Sequence, residues 1–560
     1  MAKPKKPSDD DTNQQLLAST AKGASYLILL QLGSRMLTFV LHQIVLRYTS
    51  AETFGIASVK LELLLSTILF LSREGYRCAL VRGEGVQKPS RDSFQIVPED
   101  SAAGQEQKIT NISYIPTVLG LLCTCLACQF YLFNIDDTTA DLYPHYRLSV
   151  ILFGLAAMIE LSIEPFFIKA LNSMYFQLRV SIEGVAVVLR CLVTFALTLY
   201  GAKLATSQYS LLAFALAQFV YGVVLAVGYV GFFLLKVWRQ DISLTSLFPR
   251  KLVSTSGTSF WLDESLTALG STLTKQSLLK HVLTEGDKML ISALSTDRDQ
   301  GIYAFVVNYG SLVARILFQP LEETGRTLFS KLLNKKESRT NERALALDVL
   351  LLILRCHVVL GLVFICFATN YTSTLIDLLV GKKWSMTQAP SVLALYCMYV
   401  PIMGINGITE GFVQAVASKQ DLARLSYYMV GFSLVFMSAG ALFMHVLPLG
   451  AFGLVLANMV NLGVRIGYSW YYIVCYFHEE KRALSIWSWW PSWATTMAFA
   501  FGWASTFWSK QVIGWDSLTA KMQHIGVGGF CFVCVCFVIY WKDRSLLVEL
   551  RQLFRKQKME

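Results

Sequence analysis

Long apolar runs recur from one end of this chain to the other, and that recurrence restricts the fold more than any motif. A run of about 20 apolar residues crosses a bilayer as a helix, because lipid offers no partner for exposed backbone N–H and C=O groups. Fourteen such windows occur, at roughly 24–46, 53–72, 113–134, 148–168, 180–200, 210–235, 276–295, 301–319, 347–369, 390–416, 425–446, 451–475, 488–508 and 524–541. Only 16% of the 560 residues are charged and 54% are hydrophobic, where soluble domains carry about 25% charge. The expected fold class is an all-α polytopic membrane protein with about 14 transmembrane helices. The opening MAKPKKPSDDDTNQQ has no apolar stretch before Tyr26 and no small-residue cleavage site, so the first window is expected to serve as the insertion signal. Residues 83–112 and 237–275 are polar without strong periodicity and read as loops carrying at most a surface helix.

The net charge of +11 does not point to nucleic acid, because the basic residues gather in short connections and at the chain ends. Lysine and arginine alternate from loop to loop. Lys331, Lys335, Lys336, Arg339 and Arg343 follow the eighth window, and Lys236, Arg239, Arg250 and Lys251 follow the sixth. The intervening loops are poor in both, so the positive-inside rule puts both termini in the cytoplasm. The twelve cysteines fall mostly inside apolar runs, as in CTCLAC and CFVCVC, without the hydrated CxxC pairs that a zinc site needs. No metal or cofactor is expected. Of two glycosylation sequons, Asn111 is expected to face the cytoplasm, and Asn370 lies on the lumenal side close to a span end.

An internal repeat organises the chain further. Glu74-x-x-Arg77 lies on Glu323-x-x-Arg326 at a shift of 249 residues, IEPFFIKALNS places Glu164 on Glu410 at 246, and FGIA answers QGIY at 246. LAQFVYG resembles LANMVNLG at 240. Four matches in order at nearly one offset define a six-span unit repeated in the same orientation, a known transporter plan in which two lobes flank a cleft and access alternates. The expected domains are a tail over 1–23, an N-lobe over 24–236, an inter-lobe loop over 237–275, a C-lobe over 276–476, two further spans in 477–541 and a basic tail over 542–560.

Ionisable residues at a helix centre cost at least about 2.5–3.5 kcal/mol each, so they should face partners or water. In the stretch SLLKHVLTEGDKMLIS, Lys280, His281, Thr284, Glu285, Asp287 and Lys288 share one face of a helix. A flat interfacial helix would look similar, but the repeat makes the stretch equivalent to the first span, which carries Arg35. The candidate cleft residues are Arg35, Arg47, Arg73, Arg77, Lys280, Glu285, Asp287, Arg315, Arg326 and Arg465. Glu74, Glu160, Glu164, Arg190, Glu322, Glu323 and Glu410 are expected to be structural or gating charges, with Glu74–Arg77 and Glu323–Arg326 able to pair at i,i+3. Guanidinium groups bind phosphate with paired donors, so a cationic cleft with lateral openings suits a lipid with an anionic head.

LLKHVLTEGDKMLI, DQGIYAFVVNYGSLVARILFQPLEE, GINGITEGF and LANMVNLGVRI together resemble the Rft family of endoplasmic-reticulum membrane proteins, within the multidrug/oligosaccharidyl-lipid/polysaccharide exporter superfamily. The likeness runs from about Gln31 to the last span and includes FLSREGYR and FGLAAMIELSIEPFF. Asp287 and Lys288 depart from it while keeping charge, and the second long loop is longer. The resemblance implies a non-enzymatic role in asparagine-linked glycosylation: moving a dolichyl-diphosphate-linked oligosaccharide of mannose and N-acetylglucosamine from the cytoplasmic to the lumenal leaflet. The expected partners are that lipid, membrane lipids and other membrane proteins of the pathway. Two further readings stay open, an accessory protein that binds the same lipid without moving it and a cation-coupled antiporter. No Walker motif links the chain to ATP, and the few residues from Arg47 to Glu52 exclude the large acidic loop of polyprenyl-dependent glycosyltransferases.

Overall fold

In the computed structural model, the residues described are 36–81, 96–99, 101–135, 142–203, 209–254, 258–333, 340–478, 486–544 and 548. They are almost entirely helical. Ten helices are long and apolar enough to cross a membrane, or eleven if the bent pair Tyr146–Ser162 and Glu164–Asn172 is one span. The three other windows also hold helices: Met36–Tyr48, which is short, Glu264–Leu294 and Trp493–Val512. Length and apolarity therefore count eleven where windows along the sequence count fourteen. The helix over Glu264–Leu294 falls out because it carries Lys275, Lys280, Glu285, Asp287 and Lys288.

The helices are labelled α1 Met36–Tyr48, α2 Ala51–Val81, α3 Ala102–Ile112, α4 Ile115–Phe133, α5 Tyr146–Ser162, α6 Glu164–Asn172, α7 Phe176–Lys203 and α8 Ser210–Trp238. They continue as α9 Glu264–Leu294, α10 Asp297–Leu333, α11 Glu342–Leu379, α12 Ala389–Val416, α13 Gln420–Val446, α14 Gly450–Tyr476, α15 Trp493–Val512 and α16 Leu518–Lys542. Local signals set many of the starts. Ser50 Oγ accepts from the Thr53 amide ahead of α2, and Ser418 and Asp421 form a reciprocal capping box before α13. Proline occupies the first turn of α4, α6 and α12, where its missing N–H costs nothing. Four helices carry a π turn: Ile56–Leu61 in α2, Ala314–Phe318 in α10, Phe364–Ala368 in α11 and Leu442–Val446 in α13.

The described residues form two compact units. One comprises residues up to Thr49 together with Leu61–Val282; the other comprises Ser50–Lys60 together with Leu283 onward. In the first, Phe167, Ile168, Leu80, Ile112, Tyr229 and Phe233 form the core. In the second, Phe329, Leu347, Leu350, Phe412, Phe477 and Trp489 do so. The final helix pair joins the second unit through Cys366, Phe499 and Val535. Polar clasps reinforce that seam: Arg355 pairs with Asp543, and Thr495 Oγ1 donates to Asp543 at 2.5 Å. Outward positions such as Val118, Leu122, Phe130 and Phe133 on α4 are exposed apolar side chains, as expected of a surface facing lipid.

The two stretches expected to be loops fold together instead. In the first unit β1 (Ile96–Pro98) pairs in parallel with β2 (Lys251–Val253), which pairs antiparallel with β3 (Ser259–Phe260). Helix α3 packs beside them, and α9 already begins at Glu264, inside the second expected loop. Asn111 is the centre of this cap. Its amide donates to Arg250 O at 2.6 Å and Trp261 O at 2.7 Å, and its carbonyl accepts from Gln107 Nε2 at 2.8 Å and the Arg250 amide at 2.9 Å. All four hydrogen-bonding positions of the side chain are used at 3% exposure, so this sequon asparagine is a structural pin. Around it, Lys108 pairs with Glu99 at 2.7 Å and Asp263 at 3.1 Å, and Lys169 pairs with Glu106 at 2.7 Å. Strands of two or three residues leave no readable alternation, which hides this cap from periodicity.

Candidate functional site

The candidate charges are gathered into clusters inside each unit. In the first unit, helical spacing on α2 places Arg73, Glu74 and Arg77 over one turn. Arg73 donates to Glu160 at 2.7 Å. Arg77 makes a two-pronged bond to Glu164, 2.6 Å on each arm, with Glu164 only 1% exposed. The Arg77 guanidinium also lies 4.0 Å from the centre of the Phe167 ring. Glu74 accepts from Lys280 at 2.9 Å. The expected Glu74–Arg77 pair is thus replaced by two longer-range pairs, because Glu164 on α6 offers Arg77 the matching fork that a neighbour on its own helix cannot. Arg190 donates to Gln218 at 2.9 Å, with the Tyr221 ring 5.3 Å away.

In the second unit the pattern is looser. Glu410 on α12 accepts from Arg465 at 2.5 Å, from Asn406 at 3.2 Å and from Gln414 Nε2 at 3.2 Å. The other end of Gln414 accepts from exposed Arg326 at 3.1 Å. Glu323 accepts from Gln319 at 3.3 Å, which corrects the expected Glu323–Arg326 pair. Glu322 lies over the glycines of α12, where a Cβ on Gly407 would fall 2.8 Å from its carboxylate. Arg315, on the π turn of α10, is exposed and donates back to Ser311 O at 3.3 Å and Ser311 Oγ at 3.0 Å. Arg326 and Arg315 are therefore cations bonded to neutral groups, while Arg73, Arg77 and Arg465 are bonded to carboxylates.

The polar face of α9 is divided. His281 is buried at 1% exposure, with Nε2 2.9 Å from Thr67 Oγ1 and its ring 5.0 Å from Phe70, so it packs within the first unit. Glu285 pairs with Lys288 at 2.8 Å. Asp287 accepts from the Tyr303 hydroxyl at 3.0 Å and the Lys288 amide at 2.8 Å, and Tyr303 in turn accepts from Asn458 at 3.2 Å. Tyr303, Asn458 and Gln414 escaped the sequence reading. Gln414 had a local signal, four residues beyond Glu410 on one helix face; Tyr303 and Asn458 had none. Arg47 is exposed on α1, and Arg35 lies outside the described residues.

The comparisons with known proteins follow this architecture. Residues 19–553 match the family model described as Rft protein. A relative from Xenopus tropicalis, named Man(5)GlcNAc(2)-PP-dolichol translocation protein RFT1, is 32% identical over 98% of this chain and 99% of its own length. The like-named protein of Saccharomyces cerevisiae is 31% identical over 84% of this chain and 85% of its own. Among solved structures, lipid II flippase MurJ in an inward closed conformation aligns with a TM-score of 0.53 at 12% identity, covering 93% of this chain and 99% of that one. An inward-facing multidrug resistance MATE family transporter of the MOP superfamily aligns at 0.50 and 13% identity, covering 80% and 96%. These two likenesses identify the fold, an all-helical transporter architecture. Matched along nearly its whole length, the chain belongs to the Rft protein family.

Proposed function

We propose that this chain moves the dolichyl-diphosphate-linked mannose/N-acetylglucosamine oligosaccharide between leaflets of the endoplasmic-reticulum membrane for protein N-glycosylation, with both termini cytoplasmic. The observation that carries the reading is the full-length similarity to proteins named for translocating Man(5)GlcNAc(2)-PP-dolichol. The charge pattern supports it. A diphosphate needs cations that are not already neutralised, and Arg315 and Arg326 are exposed and bonded to neutral partners. Arg35 and Arg47 remain candidate contacts on position alone, and Lys280 could reach the diphosphate only by leaving Glu74, while Arg73, Arg77 and Arg465 hold helices together through Glu160, Glu164 and Glu410. The chain changes no covalent bond; it lowers the cost of carrying a charged head through lipid, a cost of several kcal/mol or more for each unscreened charge.

The test is purified protein in liposomes holding the diphosphate-linked oligosaccharide lipid, following how fast lipid from the inner leaflet becomes accessible outside. Acceleration that Arg315→Glu and Arg326→Glu each abolish, in folded protein, is the expected result. Binding of the lipid without acceleration would replace this reading by that of an accessory protein of the same pathway.

A further inference from the structure

The repeat brings its own two copies into contact at one place. FGIA and QGIY are equivalent at a shift of 246, which makes Ala51 the counterpart of Asp297, Glu52 of Arg298 and Gly55 of Gly301. These residues meet one another inside the second unit, where the first turns of α2 cross the first turns of α10. The crossing is a backbone contact. A Cβ on Gly55 would lie 2.1 Å from Asp297 O and 2.7 Å from Gly301 N, and a Cβ on Gly301 would lie 1.8 Å from Ala51 O. Only glycine at both positions lets the helices approach this closely. Lys60 pairs with Asp297 at 2.6 Å, and Arg298 reaches Glu52 at 3.8 Å. Phe54 meets Trp384 edge-on at 5.9 Å, and Trp384 stacks on Phe305 at 4.5 Å.

We propose that this crossing is a latch that opens and closes during transport, with the π turn Ile56–Leu61 as its hinge. Three features set it apart from a permanent helix contact. First, Ser50–Lys60 pack in the second unit whereas the rest of α2, from Leu61, packs in the first, so one continuous helix changes allegiance at the π turn. A π turn inside an α-helix marks a place where direction and register can change at low cost. Second, the closest approach is backbone against backbone at Gly55 and Gly301, so no side chain has to unlock there, although parting also uncovers the Phe54 ring from Trp384. Third, its ion pairs join partly exposed side chains, so they hold the closed state only weakly. On the orientation proposed above, α2 and α10 both begin at the lumenal face, and an open latch gives the oligosaccharide its exit. The inference rests on the transport reading only for that last step.

The experiment uses the full chain in proteoliposomes with Ala51→Cys added, and a membrane-impermeant maleimide whose labelling is measured as the increment over the parent chain. Ala51 is 6% exposed under α10 and reacts slowly while the latch is shut. Gly301→Ala forces the helices apart and is expected to raise that labelling about tenfold. Lys60→Met removes the Asp297 pair without crowding, and is expected to raise it about threefold, a surface-pair effect; it answers the question even if the glycine variant fails to fold. Labelling unchanged in the folded variants would overturn the latch. In a second arm, Glu52→Cys with Arg298→Cys is bridged by a cleavable bifunctional thiol reagent. Lipid transfer is expected to fall at least tenfold and to return on cleavage, and transfer untouched by the bridge would also overturn the proposal. A chain whose labelling responds but which transfers no lipid keeps the latch and loses the transport reading, so the two failures are distinct.

Discussion

Arg77 and Arg326 occupy equivalent places in the two halves of the repeat, and their surroundings differ. Arg77 is forked onto Glu164 and stacked on Phe167. Arg326 donates to the amide oxygen of Gln414, with Glu322 within electrostatic reach, while the equivalent carboxylate, Glu410, is held by Arg465. The exchange traces to a few residues. At the repeat offsets, Ile168 is replaced by Gln414, Leu225 by Arg465, Arg73 by Glu322 and Glu160 by Asn406. The first half thus builds two tight pairs, Arg73–Glu160 and Arg77–Glu164. The second half brings in Arg465 from α14, satisfies Glu410 with it and leaves Arg326 facing outward. At equivalent positions of the repeat, the first half holds its charges in carboxylate pairs and the second leaves Arg326 exposed and bonded to a neutral amide.

Removing one partner from a buried pair strands the other, so the first half is where truncation should cost most. Arg77→Ala leaves Glu164 buried without its fork and is expected to lower stability by about 3–5 kcal/mol, read as thermal unfolding of the purified protein. Arg326→Ala should lower it by about 0.5 kcal/mol or less, yet slow lipid transfer about tenfold, the loss expected for one charge-assisted contact to phosphate. Equal destabilisation by the two variants would erase the contrast. The sharper variant is Gln414→Glu, which offers Arg326 the carboxylate that Arg77 already has: transfer should fall severalfold, by an amount within the worth of one charged hydrogen bond, while stability should fall by about 1–3 kcal/mol because Glu410 loses the Gln414 donor and gains a like charge beside it. Full activity in that variant would remove Arg326 from the lipid path.

The smallest effect concerns the cap of the first unit, which has no counterpart among the described residues of the second. Lys108 holds Glu99 below the usual carboxylate range. Burial pushes Asp263 up, but hydrogen bonds from Ser265, the Leu266 amide and Lys108 outweigh it and leave its acid strengthened. Carboxylates depressed in the folded state add stability above their unfolded pKa of about 4, and that stability disappears as the pH falls through the lower folded values. Acidification below roughly pH 4 should therefore loosen β1 and β2, detected as faster proteolysis near Pro98 and Val253 after a brief acid pulse. In Lys108→Met protein the same loosening should already be present at neutral pH.

The transporter architecture was legible because spans and repeat are written in hydropathy and in fixed-offset strings such as Glu74-x-x-Arg77 and Glu323-x-x-Arg326. Which charges pair was not. Helical spacing proposes only partners three or four residues away, so it joined Glu74 to Arg77, whereas Glu164 comes from a helix 87 residues further along. The identity of Asp287 as a candidate was readable from its polar helix face; its Tyr303 partner, and the Asn458 amide that donates to Tyr303, arise only when α10 and α14 fold against α9. The cap stayed hidden for another reason. Its order comes from one asparagine bonding across loops, and such a residue looks like any other polar residue in a polar stretch.

The second sequon carries a consequence for biogenesis. The Asn370 amide nitrogen lies 2.9 Å from Thr506 Oγ1, a partner 136 residues further along the chain. A sugar attached there would take the place of a proton on that nitrogen and would have to fit where α15 docks. On the orientation proposed here Asn370 emerges on the side where glycans are added, well before α15 has been synthesised. Synthesis therefore sets up a race between modification and packing. A chain glycosylated early could not seat its last helix pair, and the protein we assign to supplying the sugar donor would lose its own fold to that donor.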